Sequence, residues 1–493
     1  MSGIRRDLCF LYRPGKYKKG SGRDLFFQWK DCIFPENIRK TEFNRSRRKR
    51  KMSRIKTLVT DSTGITYESE NQPFTKDYYY GWNCLDLDQA VESHRILGFG
   101  VSLTDAACYM LNTLPPEQRH ALLKDLFTPE GLDLSIARLN VGSSDYSTEV
   151  YCYNDTVDDL EMKDFSIDRD REYLIPIVRE VLDLRKDLYV FSSPWSPPGW
   201  MKTGGEICGG EMRAEYLEAF ADYYVKYLQA YAEAGVPIQA LTIQNEPETD
   251  QGGKMPQSRL HPDFERVLAG SILPEKLRAA GLDTKIWIHD HNYSGWKRVK
   301  YILSDPAVRK NIDAVAWHPY VGYPEVMQEI RAACPELTAD FQLTEKGPNL
   351  RAGSAESHIL WWSRTISGAL NNGCSSFVGW NCALDENGNP NLGPFDCAGL
   401  VEIHSRTQQI TPSVQYHAFK HFSGIKRGAV LLKGVCKPCV PMDIDCVVCR
   451  NPDGTHCAVL GNHGKGPQAF QLKYQDRYLR IMLRPESMVT VTF

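Results

Sequence analysis

Ala240-Leu241-Thr242-Ile243-Gln244-Asn245-Glu246-Pro247 and Asp340-Phe341-Gln342-Leu343-Thr344-Glu345-Lys346 are the two stretches whose reading decides the fold. Each is a short apolar run that stops at a glutamate. A strand ending in a carboxylate directs it out of the sheet, because an unpaired ionised group is costly to bury. A lone glutamate of this kind is ordinarily a solvated strand end. Two in the same setting call for a test, and the order of the surrounding elements supplies it.

From about residue 93 short apolar strands alternate with amphipathic helices. The strand candidates are Ile96–Gly100, Leu134–Leu139, Leu188–Ser193, Ala240–Gln244, Lys285–His289, Ile312–Trp317, Asp340–Thr344 and Ser375–Trp380. Helical spacing marks Glu215–Ala234, through Leu217, Phe220, Tyr224, Tyr227, Leu228 and Tyr231, and Asp170–Leu184, through Leu174, Ile177, Val178, Val181 and Leu182. Eight strands alternating with helices predict an α/β fold, a (β/α)8 barrel. A doubly wound open sheet is the alternative, but no glycine-rich phosphate loop opens a helix after the first strand. In the barrel Glu246 follows the fourth strand and Glu345 the seventh, three steps of about 33 residues each, close to the ~250/8 of a barrel unit. Both then sit on the C-terminal rim, almost opposite each other. Two carboxylates facing across a cleft can break a glycosidic bond, one protonating the leaving oxygen and the other attacking the anomeric carbon.

The flanks differ in character. Val430-Leu431-Leu432, Cys446-Val447-Val448-Cys449, Ala458-Val459-Leu460 and Met488-Val489-Thr490-Val491 read as short strands, with a hairpin turn at Asn451-Pro452-Asp453-Gly454. Lys56–Tyr67 is strand-like too. The expected organisation is a basic extension over 1–51, N-terminal strands over 52–92, a catalytic barrel over 93–422 and a C-terminal β domain over 423–493. The strands at both chain ends would form one small antiparallel, sandwich-like side domain.

The chain's 493 residues can hold a barrel of ~250 residues and a second domain. The 42% hydrophobic and 24% charged composition is that of an ordinary globular protein. Ten Trp and 24 Tyr suit a sugar-stacking cleft and a large core equally. The net charge of −2 argues against a polyanion-binding protein overall. It conceals a basic excess in residues 1–51 that peaks at Arg45-Ser46-Arg47-Arg48-Lys49-Arg50-Lys51. That run reads as a dispensable extension, with Met52 as an alternative start. It could in principle be a nucleic-acid patch, but the acidic remainder and the missing aromatic interleaving speak against nucleic-acid binding. The first 30 residues hold no apolar core of 7–15 residues, so a cytoplasmic location is expected. Nothing approaches ~18 uninterrupted apolar residues, so no membrane span is expected. Fifteen cysteines, an odd number scattered over a long chain, read as reduced thiols. Cys436, Cys439, Cys446 and Cys449 form C-x2-C-x6-C-x2-C, shorter than the usual zinc spacing and in a strand-like setting. No metal and no cofactor are expected.

On these residues the chain resembles glycoside hydrolase family 30, the family of glucosylceramidase, from about Gly98 to Val430. The resemblance rests on Gly98-Phe99-Gly100 with Leu103-Thr104-Asp105-Ala106-Ala107, on Arg138-Leu139-Asn140 with Ser144-Asp145-Tyr146-Ser147, and on Ser193-Pro194-Trp195-Ser196-Pro197-Pro198-Gly199-Trp200-Met201-Lys202. Asn245-Glu246-Pro247, His318-Pro319-Tyr320, Thr344-Glu345, and Trp380-Asn381 with Ala383-Leu384-Asp385 complete it. It implies a retaining mechanism with Glu246 as acid/base and Glu345 as nucleophile. It further implies that Asn245 holds the sugar 2-hydroxyl, Arg138 keeps Glu345 ionised, and Asp145, Trp195 and Trp380 bind the terminal sugar. His318 and Tyr320 would line the wall near the carboxylates. Plainer readings stand beside these: Asp105 as a helix N-terminal residue, His318 as a buried neutral histidine, Trp380 as barrel core. The expected activity is exo-hydrolysis of a terminal β-glucoside of the glucosylceramidase type, which would place the protein in sphingolipid metabolism, with the glycoside and water as the only partners. Alternatives are another β-linked sugar (β-xyloside, β-1,6-glucan or β-glucuronide) and a non-catalytic carbohydrate-binding barrel.

Overall fold

The computed structural model describes residues 55–350, 353–437 and 443–493. The basic extension over 1–51, Met52 and Cys439 lie outside them.

Eight parallel strands close into a barrel: Gly98–Ser102, Ile136–Val141, Tyr189–Pro194, Ala240–Thr242, Lys285–Asn292, Ala314–His318, Asp340–Leu343 and Cys374–Gly379, the last pairing with the first. Each overlaps a run expected from the sequence. The period of two decides which side chains fill the bore. Ile136, Tyr189, Phe191, Ala240, Trp287, Ala314, Ala316 and Val378 form one buried cluster inside the barrel. Their neighbours Ala137, Val190, Leu241, Ile288, Val315 and Phe377 belong to the larger core under the helices. Continuing the inward parity by two residues reaches Arg138, Ser193, Thr242, His318 and Trp380. The strand register therefore delivers a polar layer to the C-terminal mouth.

The fifth strand departs from this rule. Its register against the sixth slips between His289 and His291, and His289 and Asp290 both have positive φ, 76° and 47°. This bulge reverses the parity, so Asp290 turns inward while the His289 ring packs on Trp317.

The helix expected over 215–234 is Leu217–Glu233 behind a short 3₁₀ turn. The helix expected over 170–184 is interrupted: Asp168–Glu172 and Leu174–Leu184 flank Tyr173, whose φ of −145° is not helical. The Tyr173 hydroxyl donates to Asp105.

The side domain is a nine-stranded sheet built from both chain ends. The turn at 451–454 joins Ile444–Arg450 to His456–Asn462, with Gly454 at φ +86°. Two strands, Gln468–Tyr474 and Arg477–Leu483, escaped the sequence reading because their alternation is heavily polar. All pairs are antiparallel except one: Gln468–Tyr474 runs parallel to the long strand Asn83–Arg95. Residues far apart in the sheet order, such as Val59, Leu85 and Ile481, share one buried cluster, so the sheet curls over its own core. It rests on the last barrel helices. Ser363 donates to Asp445 at 2.9 Å, and His421 sits between the hydroxyls of Thr60 and Thr490, each at 2.8 Å.

Two of the four motif cysteines, Cys446 and Cys449, do not converge. Cys449 packs into the barrel-side core, while Cys446, three residues earlier on the same strand, packs against the domain's own core. An odd separation places the two on opposite faces, so they cannot share one ion. Among the described residues no helix is long and apolar enough to cross a membrane.

Candidate active site

A cavity of about 420 Å³ opens at the C-terminal mouth of the barrel. Asp145, Trp195, Asn245, Glu246, Tyr320, Glu345 and Trp380 line it. Arg138 and His318, both fully buried, form its floor.

Arg138 organises the floor. Its Nη1 donates to Glu345 Oε2 at 2.6 Å and to the Thr344 carbonyl at 3.2 Å. Its Nη2 donates to Asn245 Oδ1 at 2.8 Å and to Asp290 Oδ2 at 2.9 Å. The guanidinium also lies under Trp195, with its centre 4.9 Å from that ring. One rigid fork thus sets the nucleophile candidate, the asparagine and a buried carboxylate at once. Tyr320 donates to the other Glu345 oxygen at 3.1 Å.

Glu246 lies across the mouth at a left-handed backbone position, φ 45°. Its N–H donates to the Asp290 carbonyl at 3.0 Å. Its Oε1 is 3.1 Å from His318 Nδ1 and 3.4 Å from His291 Nδ1, and Thr249 donates to its Oε2 at 3.0 Å. Burial opposes ionisation of Glu246, but the adjacent imidazoles of His291 and His318 outweigh it and hold the carboxyl well below the usual range. His318 behaves oppositely. Burial disfavours its cation, yet Glu345, Asp290 and Glu246 together raise it to about 9. The proton of the pair therefore rests on the imidazole. His318 Nδ1 is also 3.9 Å from Glu345 Oε1, so the two carboxylates approach within about 7 Å, which admits the ~5–5.5 Å separation of a retaining pair.

Asp290 is the residue that the strand register hid. It accepts five hydrogen bonds: from Arg138, Ser193 and Thr242 on Oδ2, and from His318 and Thr344 on Oδ1, the last at 2.6 Å. Burial would raise its pKa, but Arg138 and His318 hold it far below the carboxylate range. Asp145 is the contrast. Burial, together with the charges of Glu345 and Glu246, keeps its carboxyl well above the usual range. A neutral acid there can donate a hydrogen bond to a sugar hydroxyl.

Trp195 and Trp380 stack, 5.0 Å apart at 20°, so Trp380 is at once cavity wall and packed core. Asp105 takes no part in the cavity. Thr104 is the helix N-cap, and Asp105 instead accepts from Thr148 N at 2.7 Å and from Arg169, pinning the loop that carries Asp145. The structure brings all nine expected site residues together. It adds Asp290, His291, Thr249, Gln251, Asn292 and Lys346. The segment His289-Asp290-His291-Asn292 ends the fifth barrel strand in four polar residues, and the rim argument that picked out Glu246 would have found it.

Residues 96–425 match the family model described as the glycosyl hydrolase family 30 TIM-barrel domain. The chain is 34% identical over 366 residues to an endo-1,6-β-D-glucanase of Neurospora crassa, covering 71% of this chain and 74% of that protein. It is 26% identical over 427 residues to putative glucosylceramidase 4 of Caenorhabditis elegans, covering 81% of each. A solved endo-β1,6-glucanase superposes with a TM-score of 0.80 at 26% identity, over 89% of this chain and 99% of that one.

Proposed function

The chain belongs to glycosyl hydrolase family 30, and from that premise we propose that it cleaves β-1,6-linked glucan by a retaining double displacement. The observation that carries the mechanism is the single Arg138 fork beneath Glu345, opposite a Glu246 seated on His318. Glu345, fixed by Arg138 and Tyr320, attacks the anomeric carbon. Glu246 protonates the leaving oxygen, drawing on the proton that His318 holds 3.1 Å away. Once Glu345 is esterified its charge is gone, and the Arg138–Asp290 pair keeps the floor electrically closed. Glu246 then takes a proton from water, which attacks the glycosyl-enzyme. Asn245 and the neutral Asp145 hold hydroxyls of the sugar whose apolar face meets Trp195 and Trp380.

The substrate class rests on the cavity's outer lining and on the relatives. Gln251, Asn292, Asn349, Glu356 and Asp396 line it beside Met255, Pro348, Pro394 and Phe395, a mixed lining that can hydrogen-bond a sugar leaving group. Relatives from three fungi are described as endo-1,6-β-D-glucanases.

One observation favours a second reading, removal of single terminal glucose units. The loop over 392–397 closes against Asp145: Leu392 N donates to its carbonyl at 2.6 Å, and Tyr146 donates to the Phe395 carbonyl at 3.0 Å. Residues 394–397 of this loop line the cavity and wall the side beside Asp145, as a site for a chain end requires. Digestion of linear β-1,6-glucan followed by proton NMR and product sizing tests both readings. First-formed β-anomers support retention. Mixed oligosaccharides mark internal cleavage, and glucose alone marks terminal cleavage. No release from β-1,6-glucan alongside turnover of glucosylceramide would overturn the substrate assignment.

A further inference from the structure

We propose that Glu246, His291 and His318 form a binding site for a borderline transition-metal ion, Zn²⁺ or Cu²⁺, whose occupancy inactivates the enzyme. Among the described residues these three are the one cluster of carboxylate and imidazole donors poised for an ion, with their ligand atoms all within 4.8 Å of one another. The ion would act as an inhibitor at the reacting carboxylate.

The donor spacing fits. Zinc with ligand bonds of about 2.0–2.2 Å in tetrahedral geometry separates its donors by roughly 3.3–3.5 Å. His318 Nδ1 and His291 Nδ1 stand 3.1 and 3.4 Å from Glu246 Oε1. The two imidazoles need to close on each other by at most about 1.5 Å to reach that spacing. Their rings lie at 85° with centroids 6.4 Å apart and do not stack, and both Nδ1 atoms lie near Glu246 Oε1.

Two further observations point to a ligand. His291 Nδ1 is buried and, although near Glu246, lacks an aligned hydrogen bond. His318 Nε2 is engaged by Asp290 Oδ1 at 3.0 Å, which leaves Nδ1, paired with Glu246, as the nitrogen an ion would take in place of the shared proton. A carboxylate on the far nitrogen is the usual support of a metal-bound histidine, because it fixes the ring and raises its basicity. Asp290 is itself held by four other donors, so the support is rigid. The donor set, two nitrogens and one oxygen, selects Cu²⁺ and Zn²⁺ over Mg²⁺ and Ca²⁺, which prefer oxygen.

Occupancy blocks turnover by a simple route. The ion holds Glu246 ionised and takes the electron pair of His318 Nδ1, so neither can deliver a proton to the leaving oxygen.

Binding is measured without reference to activity, by titrating the whole protein with CoCl₂ and following the visible absorption bands of nitrogen-ligated Co²⁺, then with ZnCl₂ by calorimetry. The expected result is one site per chain and an affinity order Cu²⁺ > Zn²⁺ > Co²⁺, with no heat from MgCl₂ or CaCl₂. Separate His291→Gln and Glu246→Gln variants, each checked by melting temperature, should both weaken Zn²⁺ at least tenfold. Inhibition by ZnCl₂, scaled to each protein's own metal-free rate, should be reversed by EDTA and weakened tenfold in His291→Gln. Zn²⁺ binding of unchanged affinity in both variants would place the ion on surface histidines and overturn the proposal. So would the absence of binding at millimolar Zn²⁺.

Discussion

Replacing Asp290 by Asn tests whether the buried carboxylate works through His318 or only holds the barrel mouth together. Asp290 presents two oxygens to five donors. An amide has one oxygen and one NH₂ group, so whichever way it lies, one cluster meets a donor where it had an acceptor. If the NH₂ faces Arg138, the buried guanidinium loses one of its two carboxylate partners and meets a donor in its place, which costs roughly 3–5 kcal/mol. For a compact unit of about 440 residues the unfolding entropy is near 0.9 kcal/mol/K, so melting should fall by about 3–5 °C. The electrostatic effect is separate. A unit charge ~4 Å from an imidazolium at an effective dielectric of ~20 is worth about 4 kcal/mol, or about a thousandfold in proton affinity. His318, raised to about 9 in the intact site, should lose most of that elevation.

The assay is the pH dependence of kcat on β-1,6-glucan, beside thermal melting. The proton-holding form of His318 is present below its pKa and lost as pH rises through it. In the wild type the alkaline limb should therefore fall near pH 9. In Asp290→Asn it should move acidward by two to three units, to about pH 6–7, so that kcat at pH 7 falls about two- to tenfold while KM changes far less. A variant that melts lower but keeps its alkaline limb and more than half its kcat would refute the reasoning, because it would confine Asp290 to structural support.

Glu345→Gln keeps the shape but cannot attack, so turnover should drop by several orders of magnitude with melting within a few degrees of wild type; more than a tenth of the wild-type rate would remove it from the nucleophile's role. Glu246→Ala should still accept an aryl β-glucoside with a good leaving group, and added azide should restore the slow second step to give a β-glucosyl azide; an α-azide, or no rescue, would contradict an acid/base at this position. His421, fully buried between Thr60 and Thr490, is depressed to about 3 by burial and by His417 and Lys420. The unfolded chain thus binds the extra proton between about pH 6.5 and 3, and stability should be lost as pH falls through that window, by up to about 1.4 kcal/mol per unit. His421→Gln should flatten the fall in melting temperature over that range, and parallel curves for the two proteins would rule out this histidine as its source.

What the sequence could show followed from local rules. Apolar runs of the right length marked eight strands, and their polar ends marked the rim, which brought Glu246 and Glu345 into view. Parity, counted along each strand, accounts for Arg138 and His318 pointing inward. The rule fails where a single inserted residue resets it. Counting from Trp287 directs Asp290 outward, and only the bulge at His289 and Asp290 turns it toward Arg138. The parallel partner of Asn83–Arg95 was hidden for a related reason: pairing between residues 83–86 and 470–473 is set by how the chain ends meet, and nothing within either segment encodes it.

Asp290 also explains why the polar layer can exist at all. Arg138 and His318 are two cations with no access to water, and in the proposed mechanism Glu345 and Glu246 change charge during a turnover. A site whose only anions were the reacting ones would lose its balance as soon as Glu345 became esterified. Asp290 touches both cations, takes no part in bond making, and is kept ionised by five donors. It is the constant negative charge against which the two glutamates can alternate, and the strand bulge is the device that puts it there.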